Sequence, residues 1–100
     1  MLKPLRRELK EAERFGMMAV RETVNAAVVK CELKTDCLSD LAISLLQAAD
    51  RANTKKDDDM TGTYLFLYYN LWDYARDRLS RQEYHLFCDS QTGFEQYWYM

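Results

Sequence analysis

Apolar residues recur at three- and four-residue steps along most of this chain, and the widest apolar face belongs to the stretch from Tyr64 to Leu79. On a helix at about 100° per residue, Tyr64, Leu65, Leu67, Tyr68, Tyr69, Leu71, Trp72, Tyr74, Ala75 and Leu79 cover an arc of roughly 220°. Asn70, Asp73 and Asp77 form the narrow polar strip that remains, and Phe66 falls on it. A face this wide predicts a helix wrapped by others, at the centre of the fold. A strand over Tyr64–Tyr69, favoured by its aromatics, is set aside because the helical pattern persists to Leu79.

Upstream, the stretch from Lys3 to about Leu33 holds only Pro4, tolerated in a first helical turn, and Gly16 as breakers. One long helix, or two with a joint near Gly16, is expected. Its seam is Leu5, Leu9, Ala12, Gly16, Ala19, Thr23 and Ala27, flanked by Phe15, Val20, Val24 and Cys31. The opposite face aligns Lys3, Arg7, Lys10, Arg14 and Arg21 into a basic stripe. The next helix is capped by Thr35 or Asp36, turns Leu38, Leu41, Ala42, Leu45, Ala48, Ala49 and Ala52 inward, sets Ser39, Asp40, Ser44, Gln47, Asp50 and Arg51 in water, and stops near Asn53. Thr54–Gly62 reads as a solvated linker whose acids favour the start of the following helix. Ser80-Arg81-Gln82-Glu83 is a capping box, with Leu79 and Tyr84 as its hydrophobic staple, and opens a short last helix that ends between Asp89 and Gly93. Phe94 to Met100 form an aromatic tail.

The sum is an all-α, up-and-down helical bundle of three long helices plus a short C-terminal helix and the tail, in one domain spanning residues 1–100. Hydrophobic content of 48%, with three Gly and one Pro, excludes a disordered or loop-rich chain. The longest apolar run, Tyr64–Tyr69, is far below the roughly 20 residues that span a bilayer. No membrane partner is expected. Lys3, Arg6 and Arg7 lead into a charged helix without an apolar signal core, so the three cysteines are expected to be reduced thiols in a cytoplasmic protein.

Charge is divided unevenly. Residues 1–34 carry eight Lys/Arg against five Glu, net +3, and residues 35–100 carry six against eleven Asp/Glu, net -5. Glu8, Glu11, Glu13 and Glu22 dilute the basic stripe, which makes nucleic acid the lesser expectation.

Candidate chemistry is sparse. Cys31, Cys37, His85 and Cys88 could together ligate zinc, but their spacing matches no paired-ligand pattern. His85 and Cys88 share a helical face without a third group to orient them. Asp57, Asp59, Thr61 and Gly62 resemble the first half of a calcium loop whose twelfth position is Tyr68 instead of Glu. Asp73 and Asp77 have Arg76 and Arg81 within reach as ordinary ion-pair partners. No enzyme, cofactor or metal is expected.

Thirteen aromatic residues, seven of them Tyr, point instead to binding. Aromatic and Arg side chains dominate protein interface energetics. The expected function is therefore a non-enzymatic protein–protein interaction module: a small adaptor, inhibitor or regulatory subunit, including the accessory proteins that phages and plasmids carry. Phe66, Tyr97, Trp98 and Tyr99 are the candidate partner-binding residues, with Arg7, Lys10 and Arg14 as a second, electrostatic surface. Homodimerisation is a further expectation, because so wide an apolar helix needs covering. The alternative is a nucleic-acid-binding regulator that uses the basic stripe.

Overall fold

Gly16 decides how the first third of the chain folds. Its φ of 104° and ψ of -179° lie in a region that only glycine enters without strain, so the helix cannot run through it. The chain forms α1 (Leu2–Glu13) and α2 (Met17–Cys31), joined by a tight turn and packed against each other. They are followed by α3 (Thr35–Thr54), α4 (Asp58–Arg78) and α5 (Arg81–Asp89). The computed structural model describes residues 2–91 and 93, with side chains from residue 5 onward, and no strand occurs among them. Of the three long helices expected, two are found: the first is divided into α1 and α2.

The central element is α3, not α4. α3 packs against all four other helices and buries ten residues, whereas α4 buries seven. The reason is side-chain size. Ser39, Ala42, Ser44, Ala48, Ala49 and Ala52 are all buried on α3, and small residues let several backbones approach one helix. Ser39 and Ser44, expected to face water, are thus enclosed. α4 supplies the large counterparts Tyr64, Leu67, Tyr68 and Leu71. A radius of gyration of 12.8 Å matches the roughly 13 Å of a compact 100-residue domain.

Several helix ends follow their local chemistry, and the α2–α3 region holds two exceptions. Ser80 Oγ accepts from Glu83 N at 3.2 Å and Ser80 N donates to Glu83 Oε1 at 3.1 Å, completing the predicted capping box. Leu79 and Tyr84 both pack on the core beside it. Asp57 caps α4 by accepting from Met60 N at 3.1 Å, which shortens the expected linker to Lys55–Asp57. The first exception is α3: its N-cap is Lys34, no side chain caps it, and Thr35 instead donates to Glu83 Oε2 at 3.4 Å. The second is the α2–α3 connection, where Glu32 (φ 51°) and Leu33 (φ 60°) take consecutive left-handed conformations.

That connection is closed by a disulfide between Cys31 and Cys37, whose Cα atoms are 5.3 Å apart. The expectation of three reduced thiols is corrected here. Cys31 ends α2, Cys37 lies in the first turn of α3, and the tight turn between them brings the two side chains together.

Candidate functional site

Phe66 lies between buried neighbours on α4. Leu65 and Leu67 point into the core, and Phe66 remains 50% exposed. Opposite it, the first turns of α2 present Met17 and Met18, 46% and 67% exposed, and Arg21, whose guanidinium carbon sits 5.4 Å from the centre of the Phe66 ring. With Asp58, Asp59, Gly62 and Thr63 these residues line an open groove of about 630 Å³. Phe15, in the α1–α2 turn just before, is 78% exposed. It was expected to flank the helix seam; the turn at Gly16 resets the helical phase and leaves it outside.

This patch combines the features of a docking face. Its three large apolar side chains, Phe66, Met17 and Met18, expose roughly 300 Å² together, which is at the lower end of the scale where exposed patches mark interaction sites. Methionine adapts its shape to a partner, and an arginine held over an aromatic ring presents a pre-oriented donor fork. Met17 and Met18 were not singled out in the sequence. Their exposure depends on the α1–α2 turn, and only Gly16, immediately before them, hints at it.

The second expected surface is less coherent. Arg7, Lys10 and Arg14 are exposed on α1 and its following turn, but Arg21 belongs to α2 and is turned toward Phe66, so the long stripe is broken. Arg14 approaches Glu11 at 3.9 Å, and the groove beside Arg7 is lined by Glu8, Glu11 and Glu22. Tyr97, Trp98 and Tyr99 lie outside the described residues.

Two polar nodes fix the scaffold beneath these surfaces. Fully buried Tyr64 donates its phenol proton to Glu13 Oε2, linking α4 to the end of α1. Burial, and then the hydrogen bond to Glu13, push the Tyr64 phenol far above its ordinary value, while nearby Arg51 works the other way. Gln91, also fully buried, accepts through Oε1 from the Tyr68 hydroxyl and from Trp72 Nε1 at 2.7 Å, and donates through Nε2 to Phe87 O at 2.8 Å. Around it Trp72 meets Phe87 and Tyr84 edge-on at 5.9 and 6.0 Å.

The cysteine and carboxylate candidates resolve simply. Cys31 and Cys37 are joined to each other, which removes two of the four zinc candidates from ligand duty. Among the described residues no group of three or more His, Cys, Asp or Glu is arranged to hold a metal ion. Cys88 is a free thiol hydrogen-bonded with the Tyr84 hydroxyl, and burial pushes it upward, opposite to an activated nucleophile. Asp73 pairs with Arg76 at 3.0 Å, and Asp77 also meets Arg76, at 3.7 Å. Among the described residues no helix is long and apolar enough to cross a membrane. No protein-family model, curated protein or solved structure matches the chain at a significant level.

Proposed function

We propose that this chain is a non-enzymatic protein-binding module, of the adaptor, inhibitor or regulatory-subunit kind, built on an up-and-down helical scaffold. Its docking face is Phe66 with Met17, Met18 and Arg21. The observation that carries the reading is the half-exposed Phe66 ring, held under Arg21 and flanked by two exposed methionines on a neighbouring helix. A phenylalanine that only filled the core would be turned inward like Leu65 and Leu67. The expected cytoplasmic location is compatible with this role if the Cys31–Cys37 disulfide is of the exchangeable kind found there.

The test places a photo-crosslinking phenylalanine analogue at position 66 and, in a separate chain, at Leu86, which is 62% exposed on α5. In extract of the source cells, position 66 gives a discrete adduct that excess wild-type chain competes away. Phe66→Glu in the competitor abolishes competition, whereas charge reversal at Arg7, Lys10 and Arg14 leaves it intact. Equal adducts at both positions, or competition by the Phe66→Glu chain, would overturn the reading. Salt separates the nucleic-acid alternative: three phosphate contacts lose roughly 500-fold in affinity over a tenfold rise in salt, and an aromatic interface changes little.

A further inference from the structure

We propose that Cys31–Cys37 is a thiol–disulfide exchange site, attacked by a small aliphatic thiolate at Cys37 Sγ. The two sulfurs sit in unequal surroundings. Cys31 is 2% exposed and belongs to the hydrophobic core, whereas Cys37 is half-buried and lines two open grooves. One, of about 480 Å³, has an apolar wall of Leu5, Ala26, Ala27 and Leu41, with Glu8, Glu22 and Lys30 at its rim. The other is bounded by Lys34, Thr35, Asp36 and Asp40. Both cysteines border the first groove, where Cys31 at 2% exposure offers almost no surface, and only Cys37 borders the second, so an incoming thiol reaches Cys37 more readily than Cys31.

The local backbone acts on the second half of the exchange. Cys37 is the third residue of α3, a helix start that no side chain caps, so its first-turn N–H groups and the positive end of the helix draw in an anionic thiolate and later stabilise the Cys37 thiolate released from the mixed disulfide; the choice of Cys37 as the sulfur attacked first rests on access. Lys34, the residue just before α3 and three before Cys37, adds a positive charge, against Asp36 and Asp40 on the same rim. Opening the bond leaves the fold standing. Cys31 as a thiol is still a small apolar residue at the buried end of α2, and α2 and α3 remain joined by a three-residue connection. What is released is the restraint on the left-handed pair Glu32 and Leu33.

The steps balance as follows. The thiolate RS⁻ attacks Cys37 Sγ; the Sγ–Sγ bond breaks, the R–S–Cys37 bond forms, and Cys31 leaves as a thiolate that takes up a proton. A second RS⁻ attacks the R sulfur of this mixed disulfide and releases the Cys37 thiolate, which is protonated in turn. Two thiols are oxidised to RSSR, and the protein disulfide gains two electrons and two protons.

The experiment uses the full chain with Cys88→Ser, so that only the pair reacts, and reduced glutathione as the probe under native conditions. Samples are quenched by alkylation and read by mass spectrometry. Direct attack predicts a rate proportional to glutathione, rising about tenfold for a tenfold increase. It also predicts a transient glutathione adduct that peptide mapping places on Cys37, and a reduced chain that keeps its helical circular dichroism. A rate that ignores glutathione concentration, a requirement for denaturant, an adduct on Cys31, or loss of helix on reduction would each overturn the proposal and make the bond a purely structural staple. The wild-type chain under the same protocol guards against a folding defect in the variant: the adduct must again map to Cys37.

Discussion

Gln91 makes the sharpest test of the fold, because one side chain ties the end of α5 to the middle of α4. Gln91→Leu keeps an apolar stem of similar size and removes the amide. Tyr68 and Trp72 lose the oxygen they share, and Phe87 O loses Nε2 while keeping Ser90 Oγ at 2.6 Å. Three buried or half-buried hydrogen bonds at about 1 kcal/mol each are offset by about 1 kcal/mol from the added apolar burial of leucine. The net expectation is a loss of about 2 kcal/mol. For a domain of this size that lowers the melting temperature by roughly 8 to 16 °C, with an unchanged denaturant slope. A double-mutant cycle with Trp72→Phe isolates the indole bond. In the Trp72→Phe background, Gln91→Leu should cost about 1 kcal/mol less. If the two substitutions are simply additive, or if Gln91→Leu costs under about 0.5 kcal/mol in the wild-type chain, then the amide does not hold α5 to α4 and the reasoning fails.

Two further perturbations follow from single observations. Gly16→Ala meets open space, so its cost lies in the backbone alone; about 1 to 3 kcal/mol should be lost in urea unfolding, with no change in the helix content of what remains folded. Tyr64→Phe concerns pH: because the folded phenol is raised above its ordinary value of 10.0, its contribution is complete below that value. As pH rises above it, the unfolded chain releases this proton first and stability falls. Urea titrations from neutral to strongly alkaline pH should show a decline in the wild-type chain that is shallower in Tyr64→Phe, and parallel declines would refute the assignment.

The parts of this fold that could be read in the sequence are those governed by near neighbours. The capping box at Ser80, the Asp73–Arg76 pair, the inward face of α3 and the joint at Gly16 all depend on residues within one or two turns. What escaped depends on packing. Ser39 and Ser44 look like solvent-facing positions until four helices close around α3, and the width of the apolar face on α4 suggested a centre that small residues on α3 in fact provide. The disulfide escaped because sequence spacing says nothing of approach; a helix break between Cys31 and Cys37 was the available signal, since it allows the end of one helix to meet the start of the next. Of the candidate site, Phe66 was legible as an apolar residue on a polar strip. Met17 and Met18 were not, and Arg21 was assigned to the basic stripe instead, because which face of α2 is left open is set by where α1 folds back.

α2 is the element that both proposed sites share. Its fifteen residues span about 22 Å, with Met17, Met18 and Arg21 at one end and Cys31 at the other. It buries only Val20, Val24 and Cys31, so it rests on few side chains, and one of these is covalently fixed by the disulfide. α4, which carries Phe66, is held by seven buried residues and by Tyr64 bonded to α1. The two halves of the docking face therefore differ in what restrains them. On the two proposals together, opening the disulfide would release one of the three buried anchors of α2 and none of α4, so any dependence of a partner on the thiol state would fall on Met17, Met18 and Arg21 before Phe66.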